Sequence, residues 1–186
     1  MTLEEFLSEN NIKPKELIQL GEGENGIAWK SNHNVLKQTT SETEYAFAKK
    51  QLKGKWPNFA PIYSIYKNEE YYFYISKYLE TSSEIEDLYF NVETIISCQG
   101  LCMMEIHAFD MEEYIFESEE TEAFYNRLLE IVRDYKRIGA SDIKPDNMGY
   151  NENGVVLAFD IDLNPNDKQR LRMGPDFHRE IFFDNK

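Results

Sequence analysis

The chain has 186 residues and a formal net charge of −14, with 41% hydrophobic and 14% aromatic residues. That length and apolar share suit one domain with a real core and exclude a disordered tail. So acidic a surface opposes non-specific binding to nucleic acid or anionic membrane, and neither is an expected partner.

Thr2 followed by Glu5 is a capping-box signal, so a short helix is expected over Leu3 to Glu9. Residues 16–40 read as three strands: Glu16–Leu20 into a glycine turn, Ile27–Lys30 out of it, and Val35–Thr39 after Asn32-His33-Asn34. Ser41 to Leu52 is expected to be helical, with Tyr45, Ala48 and Leu52 along one side. Ile62–Tyr66 and Tyr71–Tyr78 flank a polar turn and should pair as a hairpin. Beyond Ser82 the period becomes helical, with long helices expected over 84–108 and 119–138, the second ended by Gly139. The acidic stretch Asp110–Glu120 between them reads as a solvated loop or helix start, not a binding tail. Met148–Tyr150 and Val155–Ile161 flank Asn151-Glu152-Asn153-Gly154, whose Asn-Gly predicts a second hairpin. A β-rich first third and a helix-rich remainder imply an α+β fold.

No apolar run approaches the roughly 20 residues that span a bilayer. The start Met1-Thr2-Leu3-Glu4-Glu5 lacks a signal peptide's basic region, so a cytoplasmic setting is expected. Cys98 and Cys102, four apart in a helix-like stretch, lack the partners of a zinc site and read as reduced, mostly buried thiols. His33, His107 and His178 stand apart and form no ligand pattern.

The chemistry concentrates in Asp142-Ile143-Lys144-Pro145-Asp146-Asn147, with Phe159-Asp160 following. Two carboxylates, an ammonium and a carboxamide in so short a span suit phosphoryl transfer, which needs a group to orient a hydroxyl, a cation for the moving phosphoryl, and hard oxygen ligands for Mg²⁺. Upstream, Gly21-Glu22-Gly23-Glu24-Asn25-Gly26 precedes the strand lysine Lys37. Glycines lacking Cβ let backbone amides approach phosphate oxygens and adopt positive φ. Glu22 and Glu24 should then point outward. A strand after the glycine loop disfavours a dinucleotide fold, where a helix would follow.

In these motifs and their order the chain resembles the protein-kinase superfamily over about residues 20–163. The resemblance implies a bilobal protein-kinase-like fold, with a small β-rich N-lobe and hinge over 1–79 and a reduced helical C-lobe over 80–186. It implies ATP and Mg²⁺ as cofactors, a protein substrate as partner, and a monomer. Gly21, Gly23, Gly26 and Ala28 would cover the nucleotide. Lys37 would contact its phosphates, held by Glu44, with Glu42 the runner-up. The backbone from Lys77 to Leu79 would bond adenine, with Ser76 as a small gatekeeper. Asp142 would orient the acceptor hydroxyl, Lys144 would neutralise the γ-phosphate, and Asn147 and Asp160 would hold the metal, with Asp162 in a secondary role.

The departures carry expectations too. Ala140-Ser141 stands where kinases carry His-Arg, so no arginine awaits an activation-loop phosphate and loop phosphorylation should not switch the protein on. Asp160-Ile161-Asp162 replaces D-F-G, which implies a rigid, constitutively formed site. No A-P-E motif is evident in the 24 residues after Asp162, and Lys168, Arg170, Arg172 and Arg179 there read as balancing the acidic surface, with contact to substrate or phosphate the alternative. The chain is in this respect similar to minimal kinases of bacteria, phages and injected bacterial effectors; for an effector the cytoplasm would be the host's. The expected activity is Ser/Thr protein kinase. The alternatives are a small-molecule kinase, a nucleotide-binding pseudokinase serving as an interaction module, and nucleotidyl transfer from an inverted ATP.

Overall fold

A computed structural model of the chain describes residues 2–23, 25–52, 56–109, 116, 118–140 and 143–161. The fold is α+β. Helix α1 (Leu3–Glu9) opens it, with both halves of the capping box made: Glu5 N donates to Thr2 Oγ1 at 3.1 Å and Thr2 N to Glu5 Oε2 at 2.7 Å. Strands β1 (Ile18–Gly23), β2 (Gly26–Ser31) and β3 (Asn34–Thr39) lead to helix α2 (Glu42–Gln51), then β4 (Ile62–Lys67) and β5 (Tyr72–Lys77). They form one antiparallel sheet in the order β1-β2-β3-β5-β4.

Alternation along the strands gives that sheet two distinct faces. Leu36, Phe73 and Ile75 point to one face and bury against Phe6, Leu7 and Ile12 of the N-terminal segment. Tyr74 and Ile62 point to the other and pack on Ala48 of α2. The rest is helical: α3 (Ser83–Ser97), a 3-10 turn at Met103–Ala108 and α4 (Glu119–Ile138), followed by the hairpin of β6 (Met148–Tyr150) and β7 (Val156–Ala158). One large core joins α3, α4 and this hairpin to Phe47, Trp56 and Phe59.

Several sequence expectations need correction. The first strand begins at Ile18, because Pro14 starts a 3-10 turn over Pro14–Glu16. The helix expected over 84–108 stops at Ser97. Gln99 and Leu101 both turn their amides back to Ile96 O, with Gly100 at φ 74 between them. Cys98 and Cys102 flank that break and are exposed, not buried. The inner face of α2 is Glu44, Phe47, Ala48 and Gln51, while Leu52 lies 39% exposed and Tyr45 is half-buried. Strand β7 ends at Ala158, short of Ile161, where the Phe159 amide turns away to Asn147 O. Helix α4 ends as expected, with Gly139 left-handed at φ 73. Among the described residues no helix is long and apolar enough to cross a membrane.

Candidate active site

A cleft of about 430 Å³ opens between the α2 face of the sheet and the β6–β7 hairpin. That size lies in the range typical of small-molecule sites. Gly21, Gly23, Gly26 and Ala28 line one side, Ser76 to Leu79 another, and Ala158 to Ile161 the floor. The glycine segment is the end of the β1–β2 hairpin, with Gly23 paired to Gly26.

Its three glycines differ. A Cβ on Gly21 or Gly23 would meet nothing within 4 Å, so the space beside them belongs to the cleft. A Cβ on Gly26 would lie 1.9 Å from Gln38 O, so there the missing side chain serves the β2–β3 pairing. None of the three has positive φ, contrary to the sequence expectation, because all lie in extended strand. Glu22 is exposed at the rim, as expected, and Glu24 is outside the described residues.

At the inner end of the cleft, Lys37 Nζ lies 2.6 Å from Asp160 Oδ1 and 3.7 Å from Glu44 Oε1. Strand β3 supplies the lysine opposite Ala28, α2 the glutamate, and the residue two past β7 the aspartate. Only the first of these distances is a hydrogen bond. Glu44 is 3% exposed and takes its hydrogen bonds from two hydroxyls, Thr39 Oγ1 at 2.6 Å and the Tyr74 phenol at 2.7 Å. Burial pushes its carboxyl up to about 7, against the opposing pull of Lys37. Glu42, the runner-up, is exposed on the outer side of α2.

Asp160 adopts φ 55, in the left-handed region. A non-glycine residue held there marks local strain, and such strain clusters at functional sites. The strand before it is well tethered: Phe159 N donates to Asn147 O at 2.9 Å. Asn147 is buried at the end of a 3-10 turn over Pro145–Asn147, and its carbonyl is thus bonded to the residue just before Asp160. The segment before it is anchored by the Tyr89 hydroxyl, which donates to Ile143 O at 2.8 Å. Lys144 is exposed and, like Asn147, is not part of the cleft wall; Asp146 is. Asp142 and Asp162 lie outside the described residues, as do Ser141, His178 and the basic residues of the tail.

The Lys77–Leu79 segment crosses from sheet to helices. Lys77 N donates to Pro61 O and Tyr78 N to His33 O, while no partner for the Leu79 amide is found among the described residues. Gly149 lets this segment press on β6, since a Cβ there would sit 2.7 Å from Leu79 Cβ. Glu80 and Tyr150 then exchange backbone hydrogen bonds.

Sequence reasoning missed Thr39 and Tyr74 as holders of Glu44, and Thr81 and Asp146 as cleft residues. Tyr74 on the same strand face as Ser76 was the available signal. Among the described residues no three His, Cys, Asp or Glu side chains gather as a metal site. No protein-family model matches the chain, and no curated protein matches it.

Proposed function

We propose that the chain is an ATP- and Mg²⁺-dependent phosphotransferase of the protein-kinase type. In this reading it is bilobal, divides near residue 79, and transfers the γ-phosphate to a protein Ser or Thr hydroxyl. One observation carries the reading: Lys37 and Asp160, 123 residues apart, meet at 2.6 Å inside a cleft bordered by the glycine hairpin. The pair shares the cleft with apolar Phe47, Phe59 and Ile62 and with polar Glu44, Thr81 and Asp146.

The residues present fit the cofactor. Mg²⁺ keeps most of its water and takes only one or two protein oxygens beside phosphate, so the Asn147 carboxamide and the Asp160 carboxylate are a sufficient set without a second carboxylate. The ion, when bound, supplies positive charge to the phosphate oxygens. Gly21 and Gly23 leave room for phosphate at their backbone, and Lys37 brings the cation. Leu79 offers its unengaged amide, and Lys77 the neighbouring backbone, to a purine edge. Asp142 takes the role of orienting the acceptor hydroxyl on sequence alone, and Lys144 that of γ-phosphate cation. Positioning and charge stabilisation then carry the reaction, with no covalent intermediate on the protein.

The test is transfer of label from γ-labelled ATP to lysate protein by wild type, Asp142→Asn and Asp160→Asn. The reading expects labelled phosphoprotein from wild type alone. Equal labelling by all three overturns it.

A further inference from the structure

The cleft wall does not explain why Asp160 stays where it is. It follows β7, a strand of three residues whose sheet partner is the equally short β6. An isolated two-stranded hairpin is marginal in water, and Asp160 carries strained backbone besides. Something else must hold it.

Four hydrogen bonds fix the backbone just before Asp160. Arg127 Nε donates to Val156 O at 2.6 Å, Ala158 N to Asn58 O at 3.0 Å, Ala60 N to Ala158 O at 2.8 Å, and Phe159 N to Asn147 O at 2.9 Å. Three of the four come from α4 or from residues 58–60. That short segment is irregular and would not hold a strand by itself. Its rigidity comes from two side chains. Gln51 Nε2 reaches Trp56 O at 2.9 Å, Phe59 O at 3.2 Å and Ala60 O at 3.3 Å, and Gln51 Oε1 accepts from Trp56 N at 3.2 Å. From the other side, Arg127 NH1 donates to Asn58 Oδ1 at 2.7 Å, and Asn58 Nδ2 donates to Asp134 Oδ2 at 2.7 Å. Gln51 is two helical turns beyond Glu44 on the same face of α2.

We propose that Gln51, Asn58 and Arg127 form a positioning unit that holds Asp160 in register with Lys37 and Glu44. One end of the unit is the helix that carries Glu44; the other is the strand that leads to Asp160. None of the three residues lines the cleft, so each acts through backbone it bonds. The significance of that register rests on the phosphotransfer reading above, but the register itself does not.

Arg127→Met keeps the aliphatic stem and removes both donors. Arg127→Lys restores charge and one donor without the fork that reaches Val156 and Asn58 together. Three measurements separate positioning from mere support: amide exchange at Ala158 and Phe159 against Leu36, the ¹⁵N signal of the Lys37 ammonium, and kcat and KM for ATP. In Arg127→Met, exchange at Ala158 and Phe159 should speed by about tenfold or more beyond whatever change Leu36 shows. The Lys37 signal should move. Since a displacement near 1 Å can cost about 100-fold, kcat should fall on that order, with KM for ATP within about threefold of wild type. Arg127→Lys should recover part of each effect.

The proposal is overturned if β7 stays protected in Arg127→Met, if it opens with Lys37 and kcat unchanged, or if Leu36 loses protection in parallel. Should Arg127→Met not fold, Arg127→Lys is read against the same limits. A wild type that does not turn over ATP defeats the phosphotransfer reading alone; exchange and the Lys37 signal still decide the positioning.

Discussion

Glu44 and Asp134 are both carboxylates at 3% exposure, and their surroundings are opposite. Asp134 lies on α4 against packed protein, and its oxygens accept from nitrogen donors, Asn58 Nδ2 at 2.7 Å and Arg137 NH1 at 3.2 Å. Glu44 faces the cleft, takes its hydrogen bonds from two hydroxyls, and stands 3.7 Å from a cation that is hydrogen-bonded to Asp160 instead. A carboxylate clamped by N–H donors fixes neighbouring chain segments. One that shares its lysine with a second carboxylate leaves that lysine able to redirect its charge. The cleft wall and the seam behind it therefore differ: the wall holds ionisable groups in a loose arrangement, and the seam ties down the backbone beneath them. If so, wall substitutions should cost activity without stability, and seam substitutions should cost both.

The largest effect is expected from Asp160→Asn. Removing one preorganised charge from a phosphoryl-transfer site typically costs about 10²–10³ in kcat, and label transfer should fall by that order. Stability should hardly move. The Asp160 side chain is 41% exposed, and exposed ion pairs contribute only about 0–1 kcal/mol. A large drop in the urea midpoint would place Asp160 in the seam and erase the distinction.

Next comes the contrast between two glycines of one hairpin. Gly26→Ala drives a methyl against Gln38 O, a backbone atom that cannot swing aside, so destabilisation of about 1–3 kcal/mol or more is expected in urea unfolding. Gly21→Ala meets nothing in the protein and should stay within about 0.5 kcal/mol of wild type. Its effect should appear in ATP titration as weaker binding. Equal stabilities for the two variants would mean that the glycine hairpin serves one purpose throughout.

Asp134→Ala tests the seam without touching Arg127. It deprives Asn58 Nδ2 of its 2.7 Å acceptor and leaves only Glu130 O at 3.3 Å. Asn58 is half-buried, so its under-satisfied donor should cost about 1 kcal/mol, the low end of the range for a buried one. The urea midpoint should fall accordingly, and kcat with it. Stability lost with full kcat would confine the seam to a packing role.

These contrasts also show what could be read from the chain beforehand. Local chemistry was legible: the capping box at Thr2, the left-handed Gly139 and the turn before Gly154 each follow from a few adjacent residues. The meeting of Lys37 with Asp160 and Glu44 followed from motif order. The seam did not. Gln51, Asn58, Arg127 and Asp134 are polar residues whose types suit a surface, and the hydrogen bonds of Asn58 with Arg127 and Asp134 join positions 69 and 76 apart. The inner face of α2 was misread for the same reason. Counting only apolar residues selected Tyr45, Ala48 and Leu52, whereas the buried positions include Glu44 and Gln51, each satisfied by partners that periodicity does not reveal. The spacing of Glu44 and Gln51, seven apart, was the one available sign. Asp142, which the kinase resemblance casts as orienting the acceptor hydroxyl, lies outside the described residues, so that role stays an expectation from the sequence.

The subtlest expectation concerns how stability varies with pH. Glu44 titrates near 7 in the folded protein, against an ordinary value of 4.5, because burial outweighs the attraction of Lys37. The folded carboxyl therefore keeps its proton at pH values where the unfolded one has lost it, and folding takes up a proton between pH 4.5 and about 7. The stabilisation this provides is complete below pH 4.5 and is lost as pH rises through about 7, with a slope of at most about 1.4 kcal/mol per pH unit. Glu44→Gln cannot titrate; it keeps one acceptor oxygen for one of the two hydroxyls and presents an NH₂ donor to the other, an offset that does not vary with pH. Across that window the stability of wild type minus that of the variant should fall with rising pH and level off above it. Curves that run parallel from pH 4.5 to 7.5 would show that Lys37 holds Glu44 ionised throughout, and the loose arrangement drawn from the 3.7 Å separation would be wrong.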